Sequence, residues 1–185
     1  MYRLLLLLSL TASGALLDTQ EAVPTPSNPG ETIRREGVVM GTPWSLELAG
    51  PTRAQALEAS EVLIQSLVAA ESRLSNWNPD SEVSRWNAGD LGSPLPCSPA
   101  LAQEIRRAEE WRIATQGAFS PLLGNLVEVW DLRGSGRIPD PAKWTRACSM
   151  SRPENLIWLD DQPVRRGPVT IATGGFGKGA ALDAA

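Results

Sequence analysis

The residues suited to chemistry gather in two places. The denser group closes the chain, Thr170-Ile171-Ala172-Thr173-Gly174-Gly175-Phe176-Gly177-Lys178-Gly179-Ala180-Ala181-Leu182-Asp183. A β-type run enters four glycines that enclose one lysine, and an alanine-rich helix start follows. Glycines let a backbone pass close to a large group such as a nucleotide phosphate. A helix N-terminus then offers unpaired N–H groups to an anion. The spacing is neither GxGxxG nor the GxxxxGK loop of phosphate-binding ATPases, and a tight turn before a packed helix accounts for the glycines on their own. The second place is the polar loop Ser75-Asn76-Trp77-Asn78-Pro79-Asp80-Ser81. A tryptophan there is either a ring folded back on the core, the simpler reading, or a flat face offered to a planar ligand.

Composition narrows the chemistry. The chain of 185 residues has no histidine and two cysteines. Imidazole is therefore absent as base, zinc ligand or phosphate relay, and two thiols are too few for a zinc site. A metal would have to be held by oxygen, which selects Mg²⁺ or Ca²⁺. A net charge of −4 and a pI near 5.0 argue against nucleic acid as a partner, because that requires a basic surface. Seven tryptophans against one tyrosine and two phenylalanines is an odd balance; most are expected in the core, and a tryptophan is also a flat face for a planar ring.

The elements that must position these residues follow from hydropathy patterning. Residues 1–17 read as a secretory signal, with Arg3 before the apolar run Leu4–Leu10 and small residues at Ser13-Gly14-Ala15. Cleavage is the expectation, and an uncleaved anchor the alternative; the destination is the periplasm or the outside. Residues 18–33 form a Pro-rich flexible linker, and residues 34–185 one domain. Arg34–Leu48 predicts paired strands, with an edge or bulge at Pro43. Thr52–Leu74 predicts a capped helix with an apolar stripe of Leu57, Val62, Leu63, Ile64, Leu67, Val68 and Leu74. Glu82–Asn87 is a helical turn. Ser98-Pro99 opens a second long helix that buries Leu101, Ile105, Ala108, Trp111 and Ile113 and ends at Gly117. A short helix over Leu122–Trp130 and a polar loop from Arg133 to Lys143 come next. Leu156–Leu159 is a strand to which Val169-Thr170-Ile171 pairs back after a turn at Asp160-Asp161-Gln162-Pro163. The fold class is mixed α+β. Cys97 and Cys148 are open between a disulfide and two packed thiols.

Four segments stand in an order with a precedent. Met40-Gly41-Thr42 precedes a strand. The run Glu71 to Asn87 carries the Trp77 loop. Thr115-Gln116-Gly117-Ala118-Phe119 ends a helix, and Gly174-Gly175-Phe176-Gly177-Lys178-Gly179 comes last, with Asp183 after it. Together they resemble the ApbE family of FAD:protein FMN transferases, from about Val38 to Asp183. The resemblance implies a T-fold-related domain, incomplete at its C-terminal side. It also implies a Mg²⁺-assisted enzyme of the periplasm that splits FAD and attaches FMN to a Thr or Ser of a target flavoprotein. It assigns Met40, Trp77, Gly117, Ala118, Phe119 and Lys178 to the FAD site and the Gly175 carbonyl to the Mg²⁺ shell, and it reverses the simpler reading of Trp77. Ala172 occupies an FAD-contacting position where the family has Asp, and Ser120 likewise replaces Asp. A non-catalytic FAD-binding protein, or an inactive fragment, is the alternative. The acceptor protein, the catalytic residues and the oligomeric state are not implied.

Overall fold

The computed structural model describes residues 7–8, 31–95 and 97–185. The expected signal, apart from Leu7 and Leu8, and most of the expected linker lie outside the described residues. Among the described residues no helix is long and apolar enough to cross a membrane. The chain divides into two compact units, residues up to 68 with Ala185, and residues 69–184.

The first unit is a sheet and a helix. Strands β1 (Leu7–Leu8), β2 (Glu31–Val39) and β3 (Thr42–Gly50) lie antiparallel in the order β1-β3-β2. β2 begins just inside the segment expected to be linker. The β2–β3 register runs unbroken from Glu31↔Gly50 to Val39↔Thr42, so Pro43 makes no bulge. β1 pairs only with Leu46 and Glu47, which leaves Pro43, next to the turn, needing no N–H on its outer side. Met40 and Gly41 are the two turn residues, with φ of 50° and 66°, the left-handed pair that a two-residue hairpin requires. Trp44 lies across from Gly37 so closely that a Cβ there would meet its ring at 2.6 Å. Ile33, Leu46 and Leu48 bury against Ala56 and Leu63 of helix α1 (Arg53–Leu74), and Thr52 Oγ1 accepts from Gln55 N at 3.3 Å as its cap.

The buried residues of α1 are Ala56, Ser60, Leu63, Leu67, Ala70 and Leu74. Their alternating steps of four and three make one stripe. Leu57, Val62 and Val68 fall off it and are exposed, so the expected stripe was drawn too wide because it counted every apolar residue and passed over the small ones.

The second unit contains α2 (Glu82–Ala88), α3 (Pro99–Ala114), α4 (Gly124–Val129), α5 (Pro141–Met150), the hairpin β4 (Leu156–Leu159) and β5 (Gln162–Arg165), and α6 (Gly177–Ala184). Its core includes Leu74, Val83, Trp86, Leu101, Ile105, Leu122, Val164, Val169 and Ile171. Ser81 and Ser98 cap α2 and α3 through their side chains. On α3 the buried face is Leu101, Ala102, Ile105 and Ala108; Trp111 and Ile113 flank it and are exposed. β4 pairs with Gln162–Arg165 and not with Val169–Ile171. Asp160 and Asp161, at φ of 47° and 63°, turn the chain within two residues, so the nearest residues take the partner's place. Helix α5 lies in a stretch whose first residues were expected to be loop. Its signal is present: Asp140 Oδ1 accepts from Ala142 N and Lys143 N at 2.9 and 3.2 Å, with Pro141 at the first turn.

Cys97 and Cys148 are free thiols. Burial, with the Glu82 and Glu104 carboxylates adding to it, pushes the Cys97 thiol up to about 12.

Candidate functional site

The site begins with how one asparagine joins two distant segments. Asn76 follows the end of α1. Its Nδ2 donates to Ile171 O at 3.1 Å, and its Oδ1 accepts from Thr173 N at 2.7 Å. The Thr173 hydroxyl lies 2.7 Å from Leu74 O and 2.8 Å from Asn76 Oδ1. Asn87, at the other end of α2, repeats the pattern: its Nδ2 donates to Ile171 O at 2.9 Å and its Oδ1 accepts from Ile171 N at 2.7 Å. An amide side chain presents donor and acceptor together, so two asparagines replace the strand that Val169–Ile171 lacks. The far side is held by Gly124 N to Thr170 O at 3.1 Å and Ala172 N to Pro121 O at 2.8 Å.

The loop bearing Trp77 is equally fixed. Ser75 Oγ accepts from Trp77 N and Asn78 N at 3.3 and 3.2 Å, while Ser81 Oγ and Ser84 Oγ donate to Ser75 O at 2.6 and 3.1 Å. Trp77 itself is 70% exposed. The Arg133 guanidinium lies 5.9 Å from its ring centroid and donates to Asn76 O at 3.4 Å. A rigid backbone thus presents a flat indole with a cation beside it.

The third segment ends α3. Gln116 and Gly117 have φ of 52° and 85°, and Gly117 N bonds back to Arg112 O at 2.8 Å, a left-handed helix end that glycine favours. Thr115 Oγ1 accepts from Phe119 N at 3.1 Å, which turns Phe119 toward the glycine segment. Its ring meets Phe176 edge-on at 6.5 Å, and a Cβ on Gly175 would come within 3.2 Å of it. Gly174, Gly175 and Lys178 are exposed, Lys178 in the first turn of α6, where the helix N-terminus favours anions.

Two cavities flank these segments. One of about 370 Å³ lies between α3 and α6, bounded by Arg73, Glu104, Arg107, Trp111, Phe176 and Asp183. Arg73 and Glu104 form a bidentate pair of 2.8 and 3.4 Å there, and that hydrogen bond raises the Arg73 guanidinium above its ordinary value. Arg107 and Asp183 pair at 3.0 Å. The other, about 410 Å³, is bounded by Asn76, Asn87, Thr170, Asp131, Arg133 and Arg137.

The expected residues divide by unit. Trp77, Gly117, Ala118, Phe119, Ala172, Gly175 and Lys178 belong to the second, and Met40 sits in the hairpin turn of the first. The Asn76 bonds tie the Trp77 loop to the segment leading into the glycines, and Phe119 packs on Gly175. Ala172 offers only its backbone, and its N–H is taken by Pro121 O. Ser120 Oγ accepts from Leu122 N at 3.2 Å. For Mg²⁺ the described residues supply only part of a shell, since the ion is ordinarily held by one or two carboxylates together with substrate phosphates and water. Among the described residues no three carboxylate, thiol or imidazole side chains come together, and Gly175 contributes one neutral carbonyl where Mg²⁺ favours carboxylates and phosphates. Sequence reasoning missed Asn76, Asn87, Thr173 and Arg133. Asn76 was read as part of a polar loop and Asn87 as the end of a helical turn, and nothing local signals a partner nearly a hundred positions away.

The sequence model of the ApbE family matches residues 40–185. Two FAD:protein FMN transferases are similar to this chain. That of Chlamydia muridarum is 29% identical over 136 residues, 72% of this chain and 42% of that protein. That of Salmonella typhimurium is 29% identical over 154 residues, 82% of this chain and 44% of that protein. The chain therefore spans less than half the length of these curated relatives. In structure it is similar to the apo flavinyl transferase ApbE of Pseudomonas stutzeri, at a TM-score of 0.74 and 20% identity over 86% of this chain and 53% of that one. The flavin transferase ApbE of Vibrio cholerae matches at 0.73 and 22% over 84% and 52%. At those identities the structures speak to the fold, and with the family match they lead to one conclusion: this chain belongs to the ApbE family.

Proposed function

We propose that this chain forms the nucleotide-holding part of an FAD:protein FMN transferase. In the reaction an acceptor Thr or Ser hydroxyl oxygen bonds to the FMN phosphorus and gives up its proton to solvent, the P–O bond joining the two phosphates breaks, and AMP leaves with the bridging oxygen. Phosphoryl transfer asks the protein mainly to position reactants and neutralise charge. Trp77 stacks the flavin or adenine ring, Lys178 and the N-terminus of α6 face the phosphates, and the Gly117–Phe119 and Gly174–Gly175 backbones line the nucleotide. The observation that carries this is the Asn76–Thr173 lock, which places the exposed Trp77 ring and the glycine segment on one rigid frame. The Gly175 carbonyl would join the nucleotide phosphates in holding the Mg²⁺ that the family resemblance implies, and the ion would neutralise charge on those phosphates. Exported, periplasmic action is part of the proposal.

The test is in-gel flavin fluorescence. The chain, FAD, Mg²⁺ and a threonine-bearing flavoprotein domain are combined with the part of the Salmonella relative that lies outside the matched stretch. A fluorescent acceptor band with matching AMP release is expected, and its absence while FAD still binds would favour a second reading. In that reading the chain holds FAD without transferring it. The observation for it is Ala172, which offers no side-chain acceptor.

A further inference from the structure

The segment between Trp130 and Arg152 differs in charge from the rest of the molecule. The chain carries a net −4, yet residues 130–152 hold five basic residues, Arg133, Arg137, Lys143, Arg146 and Arg152, against two acids, Asp131 and Asp140, the second of which caps α5. All five are exposed. None makes an ion pair among the described residues: Arg133 donates to Asn76 O, and Arg137 to Val129 O and Glu128 O. A neutral carbonyl leaves the charge uncompensated.

The same stretch exposes large apolar groups. Ile138 is 90% exposed, Leu132 65%, Trp144 46% and Trp130 37%. Single exposed hydrophobes are ordinary, but these four lie close in sequence and alternate with the cations. Tryptophan, arginine and aliphatic anchors are the composition of protein-binding hot spots. The loop is also preorganised. Gly134 N and Gly136 N both donate to Asp131 O, at 3.0 and 3.1 Å, and Arg137 N donates to Trp130 O at 2.9 Å. Little ordering cost is left for binding.

We infer that the Trp130–Arg152 surface docks an acidic face of a partner protein. It rests on the transferase reading in one respect: a transferase must bring a protein acceptor to its bound flavin, and Arg133 over the Trp77 ring puts one end of this surface at Trp77. The positive surface steers an acidic partner toward it and rejects a basic one, while the apolar residues supply contact area.

The test uses the full chain and a short fluorescein-labelled polyglutamate peptide carrying one threonine, followed by anisotropy at low and high salt. Binding that weakens with salt is expected, and the Lys143→Glu, Arg146→Glu double variant lowers it ~10-fold or more. FAD titration of the same variant stays unchanged, which separates this proposal from the flavin reading. If FAD fails to bind the unaltered chain, the flavin reading falls while the peptide result stands. Should the double variant not fold, judged by circular dichroism, Ile138→Ser and Arg152→Glu singly each weaken the peptide. Equal binding of a polylysine peptide, peptide binding untouched by charge reversal, or binding to phosphatidylglycerol vesicles in place of the peptide would each overturn the inference.

Discussion

Trp77 and Trp86 stand nine positions apart, and both have a guanidinium 5.9 Å from the ring, Arg133 for one and Arg165 for the other. Their surroundings are opposite. Trp86 is 1% exposed, and its indole N–H donates to Pro163 O at 3.0 Å. Arg165 beside it donates to Val169 O at 2.8 Å and Gly89 O at 2.6 Å, and burial pushes its guanidinium below the ordinary value. Trp77 is open to solvent on a loop whose backbone is tied at Ser75, Asn76, Trp77 and Asn78. The same pair of side chains is therefore a core element at one site and a presented surface at the other. What decides is whether the indole N–H and the guanidinium find carbonyls inside.

That difference orders the expected effects of substitution. Trp86→Ala empties a fully enclosed site and costs about 3–5 kcal/mol in urea unfolding; a loss under 1 kcal/mol would erase the distinction. Asn76→Ala strands the Thr173 N–H and costs about 1–3 kcal/mol. FAD affinity falls with it, because the Trp77 loop and the glycine segment lose their common tie. Trp77→Ala changes stability by less than about 0.5 kcal/mol while weakening FAD by about 1–3 kcal/mol, as for base–aromatic stacking. Arg133→Ala is the smallest: its contact with the Trp77 ring is exposed, a surface substitution of this kind stays within about 0.5 kcal/mol, and thermal melting shows no more than that.

Thiol chemistry offers a pH test of the interior. A folded thiol raised from 9.0 to about 12 stays neutral where the unfolded chain ionises. Its stabilising contribution is intact below 9 and declines as pH rises from there toward 12. Cys97 is expected to resist iodoacetamide at pH 8 in the folded chain and to react on unfolding.

Much of the frame was legible. Helix caps at Thr52 and Ser98 and the left-handed stop at Gly117 are local signals, and the structure has each of them. The segments assigned to the site came from the family resemblance that their order carries, since the glycines alone read as a turn and Trp77 alone as a core ring. Three things escaped. Small residues such as Ala56 and Ala70 were passed over in favour of Val62 and Val68, although a close helix contact selects small side chains. The partner of β4 went to the nearest residues after a two-residue turn. The replacement of a strand by two asparagines depends on contacts between positions 76, 87, 171 and 173, and no local pattern records a contact at that separation.

The account stands on Trp77 as a ring-presenting residue on a fixed frame. The most direct measurement is an equilibrium titration of FAD, by quenching of flavin fluorescence, against the unaltered chain and Trp77→Ala, with both melts recorded. The account predicts about 5- to 150-fold weaker binding at an unchanged melting temperature. Equal affinity for FAD in the two proteins would contradict it and leave Trp77 an exposed side chain without a role in the site.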